Sequence, residues 1–243
     1  MTQPIYAREF PVETVHVDRF GRLKSSMILY FAQEVATDHC EILGCDWDAM
    51  AQKGLFWAVM RHRIQIHRLP KAGQTIRIET WPMPTTRTCY PRAMAAYDEN
   101  GEILFQVHSL WVLMDAASRA MVLPGKSGVQ VDGILRGTEL PAPSGLVPRE
   151  MEQTIRRRVC YSDLDRNGHM NNVKYLDWIA DLLPSDFHRE HPPVSINLCY
   201  VNEAREGTEL SIHWTHSDGN VLRAEVNAHN SGKRIFGAEI FCG

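Results

Sequence analysis

The chain has no apolar run longer than six residues, at 27–32 and 55–60, whereas a helix crossing a bilayer needs roughly 20. It carries no excess of one charge. Twenty-six Lys+Arg against 29 Asp+Glu leave −3, so nothing draws nucleic acid or an anionic membrane from a distance, and neither is expected as a partner. Cysteines are few and scattered (40, 45, 89, 160, 199 and 242) and form no C-x-x-C pair; reduced thiols are expected, not a disulfide framework or structural zinc. G-x-S-x-G, P-loop and G-x-G-x-x-G signatures are all missing, which removes the usual signals for an α/β-hydrolase, an NTPase or a dinucleotide site. The opening MTQPIYAREF has neither the apolar stretch of a secretory signal nor the Arg/Ser bias of a transit peptide, so a cytoplasmic protein is expected.

What the chain does have is an ordinary globular composition, 44% hydrophobic and 23% charged, enough to build a core. A linker is expected over 123–152, where Pro124, Gly125, Gly128, Gly133, Gly137, Pro141, Pro143, Gly145 and Pro148 break any regular element. It divides a first half, 1–122, from a second, 153–243, and the same order of signals recurs in both. VETVHVD alternates like a strand, SSMILYFAQEVATDHCEILG reads as a helix capped by Ser25 or Ser26 and closed by Gly44, and alternating segments follow through 114. In the second half TIRRRVCYS is the strand, NNVKYLDWIADLLP the helix, and four strands complete the set. Tyr30 and Tyr175 register at an offset of 145, Gly73 and Gly207 at 134, Gly101 and Gly232 at 131, the pattern of a duplication with one loop shortened. Both helices are apolar nearly all round, which implies burial on more than one side, as in a long helix wrapped by a curved antiparallel sheet. The fold class is therefore α+β.

The densest polar cluster is YSDLDRNGHMNNVKY, 161–175, between strand and helix of the second half. At the 145 offset Asp165 faces Phe20, Asn167 faces Arg22 and His169 faces Lys24, so one copy alone holds a carboxylate, an amide and an imidazole at alternate positions. An extended segment projects these three to one side, and Asn171 or Asn172 then caps the helix, whose first N–H groups could face an oxyanion. A loop of Asx turns ahead of a capped helix explains the same residues equally well. Glu203, at the end of SINLCYVNE, is the other residue of interest, because its partner at offset 134 is Leu69. On residues alone an exposed strand-end glutamate accounts for it too. His213 and His216 point to opposite strand faces, so a metal is not expected. Arg61-His62-Arg63 and Arg156-Arg157-Arg158 read as solvated strand faces.

The run D-L-D-R-N-G-H-M-N-N-V-K-Y-L-D-W, 163–178, resembles the signature of acyl-ACP thioesterases, and LFWAVMRHRIQIHRLPKAGQTIRIETWP, 55–82, is similar to the matching segment of their N-terminal half. The resemblance covers essentially the whole chain. It implies a tandem double hotdog, two long helices each wrapped by antiparallel sheet, that hydrolyses fatty acyl thioesters of acyl carrier protein without a cofactor. Residue by residue it assigns Asp165, Asn167, His169 and Glu203 to the catalytic site. It places the acyl chain in the N-terminal hotdog, where Met27, Tyr30, Phe31 and Trp57 could line it, although the same side chains serve equally as core. Many plant members carry a cysteine after the glutamate; here the position is Ala204, against a Cys/His mechanism. The lack of a transit peptide points to a bacterial type. An acyl-CoA thioesterase and a non-catalytic acyl-thioester-binding module are the alternatives, a G-x-H-F-P dehydratase segment being missing, and self-association as a homodimer stays open.

Overall fold

A computed structural model describes residues 4–217 and 219–243. The chain separates into two compact units, one holding the described residues up to Lys24 with Tyr30–Pro143, the other Ser25–Leu29 with Ser144–Gly243.

The elements of the first half are β1 (Tyr6–Pro11), α1 (Ser25–Leu43), α2 (Trp47–Gln52), β2 (Leu55–Ile66), β3 (Thr75–Pro82), β4 (Tyr90–Tyr97), β5 (Ile103–Asp115), β6 (Met121–Val122) and the single turn α3 (Pro124–Ser127). Five strands pair in the order β1-β3-β4-β5-β2, all antiparallel, with β6 on β5. The second half holds β7 (Gln153–Arg158), α4 (Asn172–Ala180), α5 (Ser185–Glu190), β8 (Pro193–Tyr200), β9 (Glu209–Ser217), β10 (Val221–Ala228) and β11 (Arg234–Cys242). Its antiparallel order is β8-β11-β10-β9-β7. Read strand for strand, the two orders are the same: the first strand lies at one edge and the strand after the helix at the other end. A helix laid on such a sheet, twice in one chain, is the double hotdog.

Each helix meets its sheet through aromatic rings. Phe31 of α1 lies 4.8 Å from Phe10 of β1, and Tyr175 of α4 stacks on Phe236 of β11, also at 4.8 Å. Such pairs add about 0.5–1.5 kcal/mol beyond the area they bury. Helix α1 ends as its sequence predicts. Gly44 takes φ +66°, its N–H reaches Glu41 O at 3.2 Å, and Cys45 N reaches Cys40 O at 3.0 Å, the Schellman arrangement that a residue without Cβ adopts most readily.

Four local expectations are corrected. The segment 12–18 is not a strand: β1 ends at Pro11, and Thr14–His16 is one turn of 3-10 helix, held where His16 Nδ1 accepts the Glu13 N–H at 3.1 Å. Neither serine caps α1, for Lys24 occupies the cap position and Ser26 Oγ is buried without a hydrogen bond. Helix α4 is not long; it has nine residues, since Pro184 lacks the N–H that would continue it and instead starts α5. In β2 a bulge between Val59 and Arg61 resets the alternation, which turns His62 inward until it is only 5% exposed, with Nδ1 2.8 Å from Ser109 Oγ.

The segment between the halves lacks regular structure after α3 but is packed. Glu139 accepts the Trp81 indole N–H at 2.9 Å, Thr138 O accepts Gln106 Nε2 at 2.7 Å, and Ile134 N donates to Pro82 O at 3.0 Å. Gly133 is required there, because a Cβ would fall 2.1 Å from the carbonyl carbon of Met83. In the second unit residues 144–151 roof a cavity of about 170 Å³ over β10 and β11, walled by the ion pairs Arg223–Glu239 (2.6 Å) and Arg234–Glu225 (3.4 Å).

Candidate active site

The polar cluster folds as a hairpin turn in place of an extended run. Leu164 and Met170 pair, Asp165 N donates to His169 O at 2.8 Å and Gly168 N to Asp165 O at 3.0 Å. Asp165 Oδ1 accepts the backbone N–H groups of Asn167 (2.8 Å) and His169 (3.2 Å). This is the Asx turn that aspartate favours, and Gly168 completes it at φ +74°. The three side chains therefore do not share one strand face. Asp165 is spent on the backbone of the turn, Asn167 sits exposed at its tip, and His169 leaves it buried.

Beyond the turn, His169 pairs with Arg205 and Met170 N donates to Ala204 O at 2.8 Å. Those two contacts bring Glu203, 34 positions along the chain, to His169: the carboxylate Oε2 lies 3.2 Å from Nε2, with the imidazole 11% exposed and the carboxylate 39%. The chain leaves β8 at Tyr200, so Glu203 stands on the following loop and not at a strand end. Asn171 N donates to Asp163 O at 2.8 Å. Asn171 then caps α4: its side chain accepts the Val173 N–H at 3.0 Å and its carbonyl the Lys174 N–H at 2.9 Å. Two of the N–H groups expected for an oxyanion are thus already used.

The first half repeats this construction bond for bond. Asp18 Oδ1 accepts Phe20 N and Arg22 N (2.8 and 3.0 Å), Asp18 N donates to Arg22 O, Gly21 N to Asp18 O, and Leu23 N to Pro70 O. Arg22 pairs with Lys71 as His169 pairs with Arg205. The hydrogen bonds set the register at 147 residues before the helix, not 145, while 134 holds after it. Asp165 consequently matches Asp18, Asn167 matches Phe20 and His169 matches Arg22; Glu203 keeps Leu69. The carboxylate belongs to both copies as a builder of the turn, and the His–Glu pair belongs to one.

Of the side chains expected to line an acyl channel, Phe31 is buried against Phe10 and the edge of His16. Tyr30 is 40% exposed. Trp57 donates to Cys45 O at 2.8 Å and meets Tyr90 edge-on at 4.9 Å. Met27 is half-buried in the first turn of α1, within the stretch Ser25–Leu29 that groups with the other unit. They sit as separate contacts along two elements. Among the described residues no three His, Cys, Asp or Glu side chains converge as a metal site requires, and no helix is long and apolar enough to cross a membrane.

Comparison with known proteins bears on the same regions. Residues 3–123 match the acyl-ACP thioesterase N-terminal domain and 148–240 the acyl-ACP thioesterase C-terminal domain. The chain is similar to a chloroplastic palmitoyl-acyl carrier protein thioesterase of Gossypium hirsutum, 26% identical over 98% of this chain and 62% of that protein. It is similar also to a chloroplastic dodecanoyl-[acyl-carrier-protein] hydrolase of Cinnamomum camphora, 25% identical over 93% and 63%. It thus spans less than two thirds of the length of these relatives. In structure it resembles an acyl-ACP thioesterase of Bacteroides thetaiotaomicron, with TM-score 0.84 at 23% identity over 99% and 98% of the two chains. The 12:0-ACP thioesterase of Umbellularia californica superposes at 0.85, 22% identical over 100% and 98%; both establish the fold. With its two domain matches, each containing one copy of the turn, the chain belongs to the acyl-ACP thioesterase family.

Proposed function

We propose that the protein hydrolyses fatty acyl thioesters of acyl carrier protein, releasing the free fatty acid, and that it does so by direct attack of water. The observation that carries this reading is the contact of His169 Nε2 with Glu203 Oε2 at 3.2 Å, built in one copy of a repeat whose other copy has Arg22 and Leu69 there. In our reading Glu203, half-open to solvent, is the general base, and the His169 N–H holds its carboxylate. Water gives one proton to Glu203 while its oxygen bonds the thioester carbon. The C–S bond then breaks, and the proton passes from Glu203 to the departing thiolate, leaving a carboxylic acid and the carrier thiol. The Asn167 amide, at the tip of the turn, is a donor for the carbonyl oxygen, and Asp165 acts through the turn it closes. The acyl chain is assigned to the first half, with Met27, Tyr30, Phe31 and Trp57 as candidate lining. No step asks for a cofactor.

A positioned general base contributes roughly 100- to 10,000-fold. Glu203→Gln should therefore lower kcat on an acyl-ACP panel by about that factor, and His169→Ala by a comparable one, with unfolding midpoints within a few degrees of the parent. Hydrolysis in both variants at the parental rate would remove the reading. Rates on acyl-CoA exceeding those on acyl-ACP of the same chain length would move the donor to coenzyme A. Tight binding of acyl-ACP without release of acid by the parent protein would replace the enzyme with a binding module.

A further inference from the structure

The closed end of α1 brings two cysteines together. In the Schellman arrangement the residue after the glycine meets the residue five positions before it, and here both are cysteine: Cys45 N donates to Cys40 O at 3.0 Å. On standard bond lengths that contact leaves the two Cα atoms at most about 6.9 Å apart, inside the ~7 Å beyond which a disulfide cannot close. The Cys40 side chain packs against the cluster of Cys45, Met50, Leu55, Tyr90 and Leu113. Both thiols are free, Cys45 buried and Cys40 half-buried.

A cation faces one of the two. Arg92 of β4 donates to His39 Nδ1 at 3.1 Å, to Thr80 Oγ1 at 3.3 Å and to Cys40 Sγ at 3.7 Å. Of these three acceptors the thiol is the one that readily becomes an anion. The hydrogen bond between the two thiols, joined by the Arg92 charge and opposed by burial, draws Cys40 below the ordinary thiol pKa, while the same bond and burial raise Cys45. One sulfur is thus prepared as a nucleophile beside a neighbour held as a thiol, the relation of an attacking to a resolving cysteine. Other cysteines are placed differently. Cys160 is exposed, with its Sγ 3.4 Å from the carbonyl oxygen of Arg158, and burial raises the pKa of Cys242.

We propose that Cys40 and Cys45 form a reversible oxidation site, which hydrogen peroxide closes into an internal disulfide. The Cys40 thiolate attacks one peroxide oxygen, the O–O bond breaks, and Cys40 becomes a sulfenic acid as hydroxide leaves. The Cys45 sulfur then attacks the Cys40 sulfur and expels a second hydroxide. The two hydroxides take up the two thiol protons as water, so two electrons pass from the sulfurs to the peroxide, and an external dithiol returns them. The new bond fastens the last turn of α1 to the residue whose carbonyl holds the Trp57 indole. It forms whichever thioester the protein hydrolyses.

Residues 25–53 make one tryptic peptide that carries these two cysteines and no other, so its mass reads the pair directly. The full chain is exposed to graded hydrogen peroxide, then denatured and alkylated with N-ethylmaleimide. The expected product is this peptide lighter by two hydrogen atoms and free of maleimide, restored to the doubly alkylated form by prior dithiothreitol. Cys45→Ala should stop at a Cys40 sulfenic acid that dimedone captures, and Arg92→Gln should slow closure several-fold. Two maleimides on the parent peptide at every peroxide dose overturn the proposal. So does a parent in which Cys40 runs on to sulfinic acid while Cys45 still takes maleimide, or one in which Cys160 of two chains joins and the internal pair stays open. Closure at the parental rate in Arg92→Gln overturns the part assigned to the guanidinium.

Discussion

At the scale of single residues, burial decides more than type. His62 stands in a run of cationic residues that reads as a solvated face, yet the bulge in β2 turns it into the core, where burial lowers its pKa to about 3. The unfolded chain takes up this proton near the ordinary value of about 6.5, and the folded protein does not until far lower pH. The neutral imidazole is thus fully compatible with folding above about 6.5, and stability falls as acid is added from there toward 3, at up to about 1.4 kcal/mol per pH unit. Urea unfolding at pH 7 and pH 5 should show the parent losing about 2 kcal/mol more than His62→Gln over that interval. Parallel losses in the two proteins would mean that His62 is protonated in the folded state. The residue scale also separates Asp165 from His169 and Glu203. Aspartate accepting two turn N–H groups occurs in both copies, so its presence marks architecture, while the imidazole–carboxylate contact occurs in the second copy, where we propose the chemistry.

At the scale of elements, the two Asx turns are a natural control for one another. Gly21 and Gly168 take φ +75° and +74°, with open space where a Cβ would be. Alanine at either position costs about 1 kcal/mol from the left-handed backbone alone. Gly21→Ala and Gly168→Ala should destabilise the protein equally, but Gly168→Ala should in addition reduce kcat, because the turn it strains sets His169 against Glu203. Equal activity in the two variants, measured beside their unfolding curves, would show that the second turn carries no more than the first. The turn itself is legible in the sequence, since Asp, Asn and Gly in D-R-N-G are what an Asx turn uses. What misreads is the register. Two tyrosines 145 apart suggested that Asp165 is unique to one half, whereas backbone hydrogen bonds set equivalence at 147 and give the aspartate a counterpart. Side-chain identity drifts between copies; the bonds that close the turn cannot.

At the scale of the whole molecule, one unit carries the His169–Glu203 pair and the first half has Arg22 and Leu69 at the matching positions, and our proposal divides chemistry from chain binding along that line. Widening or filling the first unit should therefore change which acyl lengths are hydrolysed and leave the chemical step alone. Trp57→Ala, which vacates the contact with Tyr90, and Phe31→Ala should shift the preferred length on a panel of acyl-ACPs while kcat on the best substrate stays within about tenfold of the parent. A profile unchanged in both variants would return these residues to plain core. The segment 123–152 adds a lesson at this scale: its prolines and glycines leave no regular element after the single turn α3, yet Gly133 and Glu139 pack its part up to Pro143 into the first unit, and the rest groups with the second.

The linear sequence determined most of the elements, the recurrence of their order in both halves and the polar island before α4, because periodicity and turn residues act within a few positions of one another. It also bore the family's motif in readable form. Tertiary structure alone decided which copy of each turn matches which, that His62 faces inward, and that Glu203 meets His169. Those outcomes depend on a bulge, on a bridge between strands and on main-chain bonds joining residues 34 or more apart, and no local pattern encodes contacts that form only when the sheet closes on its helix.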